Sequence, residues 1–70
     1  MSARVRAVVN GEAVEMEAGT RLVDFLGGRG IDAARIAVER ARVVVPRGQH
    51  ASVVVEEGDV FEVVHFVGGG

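Results

Sequence analysis

Apolar and polar residues alternate along the first part of the chain, and this alternation predicts a β-hairpin. Every second residue from Val5 to Val9 is apolar, so these side chains would share one face of a first strand. Val14 and Met16 would share the matching face of a second strand. Asn10-Gly11 lies between the two runs, and Asn-Gly is typical of a two-residue type I′ turn, in which both residues have positive φ.

A short helix is predicted after the hairpin. Leu22, Phe25 and Leu26 have the i, i+3, i+4 spacing that places side chains on one helix face. Thr20 is expected to cap this helix by accepting a hydrogen bond from a free N–H of the first turn. Gly27-Gly28 is expected to end it, because glycine readily adopts the left-handed conformation of a helix C-cap.

Three strand-like runs follow the helix: Ile36 to Arg40, Val43 to Val45 and Val60 to Val67. The first two are joined by Ala41-Arg42, and neither residue favours positive φ, so we expect a turn that is longer or of another type. Val53 to Val55 is compatible with either a brief strand or a turn.

This order of elements predicts an α+β fold of the β-grasp type. A single helix after the first hairpin can cross one face of a four- to five-stranded mixed sheet and bury its apolar stripe there. We expect one domain over residues 1–67, followed by a flexible glycine tail at residues 68–70. A chain of 70 residues with 49% hydrophobic composition supports a single core.

The last strand carries a candidate docking surface. If the helix covers the side of Phe61 and Val63, then Val64 and Phe66 lie on the solvent face, and exposed apolar side chains there suggest contact with a partner. The alternative is that sheet twist or the N-terminal strand covers them.

The chain closes on Gly68, Gly69 and Gly70 directly after this strand. Residues without side chains can thread a narrow channel and present a terminal carboxylate to another protein's active site. A frayed terminus without function is the alternative for the glycines taken alone.

Composition excludes several classes of function. The chain has no cysteine and only two histidines, so we expect no catalytic residue and no metal site. A net charge of -2 argues against nucleic acid as a partner. No apolar run approaches the ~20 residues that cross a bilayer, so we expect no membrane partner and, by default, a cytoplasmic protein.

Weaker patterns have ordinary structural interpretations. The run from Gly28 to Ala33 matches G-x-G-x-x-A but follows a helix, so we do not interpret it as a dinucleotide site. A basic group around the third and fourth strands is interpreted as a solvated face: Arg40, Arg42, Arg47 and His50. An acidic group could steer a basic partner or only aid solubility: Glu56, Glu57, Asp59 and Glu62. His65 is expected to be partly buried.

Several segments together resemble the ThiS family of sulfur carrier proteins of thiamine biosynthesis. They are Val9-Asn10-Gly11-Glu12, Ile36-Ala37-Val38-Glu39-Arg40, Val45-Pro46-Arg47, Glu57-Gly58-Asp59 and Val63-Val64-His65-Phe66-Val67-Gly68-Gly69-Gly70. The resemblance runs from about Val5 to the C-terminus. One departure is Ala41-Arg42, because the family commonly has Asn-Gly in this turn.

The resemblance implies a ubiquitin-like β-grasp fold and a reaction at the chain's own end. An E1-like (ThiF-like) adenylating enzyme would use ATP and Mg²⁺ to convert the Gly70 carboxylate into an acyl-adenylate. A sulfur donor protein would then give a thiocarboxylate, which a ThiG-like thiazole synthase consumes. Gly68 and Gly69 would occupy the partner's channel, Val64 and Phe66 would contact partners, and the chain itself would bind no cofactor.

Three alternatives remain open at this stage. The small subunit of molybdopterin synthase is also a thiocarboxylate carrier with this fold. A ubiquitin-like modifier would be joined to other proteins through Gly70. A regulatory β-grasp module would bind RNA or a partner through its sheet and would not use its tail.

Overall fold

The protein is a five-stranded mixed sheet with one α-helix on one face, seen in a computed structural model that describes residues 3–65. The strands are β1 (Arg4–Val9), β2 (Glu12–Glu17), β3 (Ile36–Arg40), β4 (Val43–Val45) and β5 (Val60–His65), and the helix α1 is Leu22–Gly28. Two short 3-10 turns are Ala33–Arg35 and Arg47–Gln49. The strand order across the sheet is β2-β1-β5-β3-β4, which confirms the predicted β-grasp architecture.

The first hairpin forms as the sequence predicts. Val9 pairs with Glu12 across the turn, and the antiparallel register continues to Arg4 and Glu17. Asn10 and Gly11 have φ of 51° and 80°, the positive values that a type I′ turn requires. The alternation of apolar and polar residues therefore fixes the register, because a shift by one residue would turn every apolar side chain to solvent.

The last strand lies in the centre of the sheet. β5 runs parallel to β1, with Val8 beside Val60, and antiparallel to β3, with Val38 beside Val63. A central strand has hydrogen-bonding neighbours on both sides, so β5 is tied to two different parts of the chain. Phe61, which pairs with Val9 on one side and Arg40 on the other, is consequently anchored in the middle of the sheet.

The core lies between α1 and the face of the sheet that it covers. Leu22 and Leu26 are the buried residues of the helix, and Phe25 packs against the core while partly buried. The buried apolar side chains are Ala7, Val9, Val14, Met16, Leu22, Leu26, Ile36, Val38, Val45, Val55, Phe61 and Val63. The predicted apolar stripe of the helix and the predicted inner faces of the first hairpin are thus confirmed.

The start of α1 differs from the prediction. Thr20 does not cap the helix, because its hydroxyl donates to the Glu17 carbonyl at 2.6 Å. The first-turn N–H groups of Leu22 and Val23 donate instead to the carbonyls of Val53 and His50, at 2.8 and 3.0 Å. These loop carbonyls satisfy donors that a cap side chain would otherwise satisfy, and they are brought there only by the tertiary fold.

The end of α1 also lies beyond the predicted stop. Gly27 and Gly28 belong to the helix, and the left-handed residue is Gly30, with φ of 73°. The Ile31 N–H donates to the Leu26 carbonyl and the Gly30 N–H to the Gly27 carbonyl, both at 3.0 Å. This pair of bonds around a left-handed glycine is a Schellman motif. The prediction that a glycine ends the helix is therefore confirmed, but the glycine is Gly30 and not Gly27 or Gly28.

The β3–β4 turn contradicts the expectation for Ala41-Arg42. Arg40 pairs directly with Val43, so the turn has two residues, and Ala41 and Arg42 have φ of 50° and 70°. The conformation matches that of the first hairpin despite a sequence that does not favour it.

Residues 53–55 do not form a strand. Val54 makes a single isolated antiparallel bridge to Arg21, while Val55 is buried with 1% of its surface exposed. The segment therefore acts as a packed loop beneath the helix N-terminus.

Within residues 3–65, no helix has the length and apolar composition needed to cross a bilayer.

Candidate functional site

The face of the sheet opposite α1 is open, and β5 contributes its central apolar residues. Phe61 and Val63 are 1% and 7% exposed beneath the helix, whereas Val60 and Val64 are 46% and 53% exposed on the other face. The prediction that Val64 lies on the solvent face is confirmed. Its contact with a partner stays a prediction.

The neighbours of Val64 on this open face follow from the strand register. Ala37 of β3 lies directly beside Val64 and is half-buried. Val44 of the edge strand β4 is 61% exposed and pairs with Glu39. The exposed valines of this face, Val44, Val60 and Val64, form an apolar surface that carboxylates interrupt.

The carboxylates on this face are paired unfavourably. Glu39 and Glu62 lie directly opposite each other in β3 and β5, and like charges at such positions destabilise a sheet. Glu62 is exposed and Glu39 half-buried. A basic side chain from a partner would relieve this repulsion, so the open face combines apolar contact area with a preference for positive charge.

The other predicted site residues lie outside the described part of the chain. These are Phe66, Gly68, Gly69 and Gly70. The described chain ends at His65, which pairs with Ile36 and is exposed. The expectation of a partly buried His65 is therefore wrong: His65 lies opposite the first residue of β3, at the end of the β3–β5 ladder.

Asn10 contributes to this region in a way that the sequence analysis missed. Its side-chain Oδ1 accepts from the Val63 N–H at 2.7 Å, and its Nδ2 donates to the Val63 carbonyl at 3.2 Å. One turn side chain thus satisfies both backbone groups of a residue 53 positions away. The only signal in the sequence is the choice of Asn among the residues that a type I′ turn accepts.

The predicted basic and acidic groups partly neutralise each other. Arg40 Nε and Nη2 donate to the two carboxylate oxygens of Asp59 at 3.1 and 2.7 Å, and Nη2 also lies 3.4 Å from Glu56. The guanidinium lies 5.8 Å from the Phe61 ring centroid. The hydrogen bond to Asp59 raises the pKa of Arg40, with the charges of Asp59 and Glu56 acting in the same direction against burial.

This network changes the interpretation of both groups. The Arg40 and Asp59 side chains are only 31% and 16% exposed, so neither is a free surface charge. Asp59 also accepts from the Glu56 N–H at 2.7 Å, which closes the turn before β5. These two residues serve the fold, whereas Glu57 and Glu62 stay exposed.

His50 is also not part of a solvated patch. It is 3% exposed, and its Nε2 lies 3.2 Å from the Val45 carbonyl. Its Nδ1 is buried without a hydrogen-bond partner among the described residues. The histidine joins β4 to the loop that meets the helix N-terminus.

Residues 3–65 hold no group of three or more His, Cys, Asp or Glu side chains arranged for a metal ion.

Comparison with known families and proteins gives one consistent assignment. The family model described as "ThiS family" matches residues 3–70. Two curated proteins, both named thiazole synthase, are similar to this chain. The one from Magnetococcus marinus is 50% identical over 62 residues, which are 89% of this chain and 19% of that protein. The one from Paramagnetospirillum magneticum is 39% identical over 66 residues, 94% of this chain and 20% of that protein.

Solved structures agree with the fold. A crystal structure of the thiamine biosynthesis protein ThiS from Geobacter metallireducens has a TM-score of 0.81 at 25% identity, and the match covers 94% of this chain and 100% of that one. A solution NMR structure of a thiamine biosynthesis protein from the same organism has a TM-score of 0.74 at 26% identity, covering 94% and 88%.

The chain spans about a fifth of the length of the curated relatives that it matches. The family match, in contrast, extends over nearly the whole chain, and the strand order and single helix are those of the ubiquitin-like β-grasp. The chain therefore belongs to the ThiS family, the sulfur carrier family of thiamine biosynthesis.

Proposed function

We propose that this chain carries sulfur on its own C-terminal carboxylate for the formation of a thiazole ring. Gly70 would first be adenylated by a ThiF-like enzyme with ATP and Mg²⁺, releasing pyrophosphate. Sulfur from a donor protein would then displace AMP and leave a thiocarboxylate at Gly70. In this proposal the chain is a protein substrate for its partners and performs no catalysis itself.

The order of these steps follows from the chemistry of a carboxylate. An ionised carboxylate is a poor electrophile, because its carbonyl carbon has no good leaving group. Formation of the mixed anhydride with AMP supplies one, so a single difficult substitution is divided into two easier steps. Gly68 and Gly69 would enter the partner's active-site channel, since they carry no side chains that would block it.

The observation that carries the proposal is the open face of β5. Val60 and Val64 are exposed on the strand that leads directly into Phe66 and the three glycines. A partner that covers this face would be in contact with the body of the protein immediately beside the start of the reactive segment. Val64 and Phe66 are the residues that we propose for this contact.

The curated relatives support thiazole synthase as one partner. In the two similar proteins named thiazole synthase, the segment that resembles this chain is part of the same polypeptide. Covalent linkage of a carrier to the enzyme that it serves would raise their effective concentration. We propose that this chain meets a ThiG-like thiazole synthase, whereas the ThiF-like partner rests on family membership alone.

Intact-protein mass spectrometry of the protein from its source cell tests the chemistry. A fraction of the molecules should show the mass change of one oxygen-to-sulfur exchange, and fragmentation should place it at Gly70. Removal of Gly69 and Gly70 should abolish this modification and leave the thermal unfolding curve unchanged. If no sulfur is found at Gly70 under thiamine starvation, the proposal is wrong, and covalent conjugates to other proteins would instead identify a modifier.

A pair of matched substitutions tests the docking face. Val64→Asp places a charge on the open face, and we expect it to raise the KM for this chain about tenfold or more in the adenylation reaction, as for a residue central to an interface. Val43→Asp is the control, because Val43 is 69% exposed at the margin of the opposite face. Equal KM values for the two variants would show that partners do not bind the open face.

A further inference from the structure

Asn10 extends the contact between the first hairpin and β5 beyond the β1 backbone. β1 ends at Val9, which lies beside Phe61, and the Asn10 N–H donates to the Phe61 carbonyl at 3.0 Å. The Asn10 side chain then reaches the next β5 residue on the same side, Val63, with bonds of 2.7 and 3.2 Å. The amide of one side chain therefore continues the ladder that the β1 backbone began.

Beyond Val63, the described residues of β5 have a strand partner on one side only. Val64 and His65 pair with Ala37 and Ile36 of β3, and within residues 3–65 no β1 residue is in register with them. Asn10 thus marks the position where β5 changes from a central strand to a strand with one neighbour. This change occurs directly beside Val64 on the open face.

The turn itself does not require these hydrogen bonds. A type I′ turn accepts Asn-Gly, Asp-Gly or Gly-Gly. Of these, only Asn carries both a donor and an acceptor on the side chain, and the Val63 N–H and carbonyl use both. Residue 10 therefore has a second role that is separate from the reversal of the chain.

We propose that Asn10 is a positioning residue for the carrier reaction, holding β5 at Val63 so that the chain departs toward Gly70 from a fixed point. This inference rests on the proposed function. The described part of β5 ends at His65, five residues before Gly70, and five residues span at most about 18 Å when fully extended. A fixed origin beside the docking residue Val64 restricts where the Gly70 carbonyl carbon can lie once a partner is bound.

The physical reason for such a device is the sensitivity of a bimolecular reaction to geometry. Misplacement of a reacting group by about 1 Å can cost as much as about 100-fold in rate. Docking through the open face fixes the body of the protein, and Asn10 transmits that fixed position to the chain that leaves it. Loss of the Asn10 contacts should lower the rate of the bound complex more than it weakens binding.

Asn10→Gly separates the two roles of this residue. Glycine keeps the positive φ of the turn and removes both bonds to Val63. By hydrogen exchange, the Val63 amide of this variant should exchange at least about tenfold faster than in the wild-type protein, because it loses its acceptor, while the amides of β3 stay unchanged. In Asn10→Asp, which keeps only the acceptor, the Val63 amide should exchange at a rate between those of the wild-type protein and Asn10→Gly.

The functional readout is the kcat and KM of adenylation, measured by ATP–pyrophosphate exchange with the enzyme that activates the wild-type chain. We expect Asn10→Gly to lower kcat about tenfold with little change in KM. Glu57→Ala is the control: it also removes a side-chain acceptor from a β1 backbone donor, the Arg6 N–H at 2.8 Å, but in the middle of β1, four residues before Asn10. It should leave kcat unchanged.

The outcomes distinguish this inference from the proposed function. If the wild-type chain is not adenylated at all, the proposed function fails and the positioning role fails with it. If the wild-type chain is adenylated but Asn10→Gly retains the full kcat, only the positioning role is wrong. An unchanged exchange rate of the Val63 amide would likewise overturn it, since the contact would then not restrain β5.

Discussion

The two hairpins of the sheet reverse through turns of the same conformation but of very different sequence. Asn10 and Gly11 have φ of 51° and 80°, and Ala41 and Arg42 have φ of 50° and 70°. Asn and Gly tolerate this region at low cost, whereas for Ala and Arg it costs about 1–2 kcal/mol per residue. The first turn is therefore favoured locally, and the second must be imposed by its surroundings.

The contacts around the second turn show what imposes it. The Ala41 N–H donates to the Val60 carbonyl at 2.9 Å, which continues the β3–β5 ladder into the turn. Arg40, the residue before it, is held by Asp59 and Glu56. With the start of the turn held by these contacts and Arg40 paired with Val43 at its end, the right-handed twist of the paired strands selects the type I′ geometry. Tertiary contacts thus outweigh the local preference of two residues.

The first turn, in contrast, stabilises a contact elsewhere. Its Asn10 side chain is bonded to Val63 in β5, so it gives the fold a long-range tie in addition to a local reversal. Contacts from β5 thus hold the second turn in place, whereas the first turn holds β5 in place through Asn10. Exchange of the two turn sequences should accordingly have opposite and unequal effects.

The largest effect is expected when the first turn receives the sequence of the second. Replacing Asn10-Gly11 with Ala-Arg should lower the free energy of unfolding by about 3 kcal/mol, because strain of about 1 kcal/mol at each residue adds to the loss of two hydrogen bonds. Urea denaturation with an unchanged m-value would measure it. A loss below about 1 kcal/mol would show that the first turn is as strongly imposed by tertiary contacts as the second.

An intermediate effect is expected when the support of the second turn is removed. Arg40→Ala should lower the free energy of unfolding by about 2 kcal/mol, since it leaves the mostly buried Asp59 carboxylate without its charged partner. Arg35→Ala is the matched control, because Arg35 is 81% exposed in its pair with Asp32 and should change stability by less than about 0.5 kcal/mol. Equal effects would show that the Arg40 network does not hold the turn.

The smallest effect should be an increase in the free energy of unfolding. Replacing Ala41-Arg42 with Asn-Gly is expected to raise the free energy of unfolding by about 1 kcal/mol, because the strain is relieved but glycine adds conformational entropy to the unfolded chain. Thermal and urea unfolding would both report it. A variant no more stable than the wild-type chain would mean that Ala41 and Arg42 are not strained in this turn.

Much of the fold was predictable from sequence because it depends on short-range patterns. The period of two in residues 4–17 predicted the first hairpin and its inner face, and the spacing of Leu22 and Leu26 predicted the buried side of the helix. The exposure of Val64 also followed from alternation along β5. Each of these depends on residues that are close together in the chain.

Several features that the sequence did not predict depend instead on the tertiary fold. The sequence predicts Thr20 as the helix cap, but carbonyls from residues 50 and 53 satisfy the first-turn donors. The sequence predicts His50 on a solvated face, but the side chain is buried against Val45. The Asn10 contact with Val63 was not foreseen at all. For the helix N-terminus and for Asn10, the deciding group lies in a distant segment whose position no local pattern specifies.

The sequence by itself thus determined which residues form strands and helix, which side chains face the core, and the family to which the chain belongs. Only the tertiary structure decided the conformation of Ala41-Arg42, the partners of the helix N-terminus, and the tie from Asn10 to β5. The physical reason is that alternation and helical spacing are properties of neighbouring residues, whereas a hydrogen bond across 53 positions exists only after the sheet has brought its two ends together.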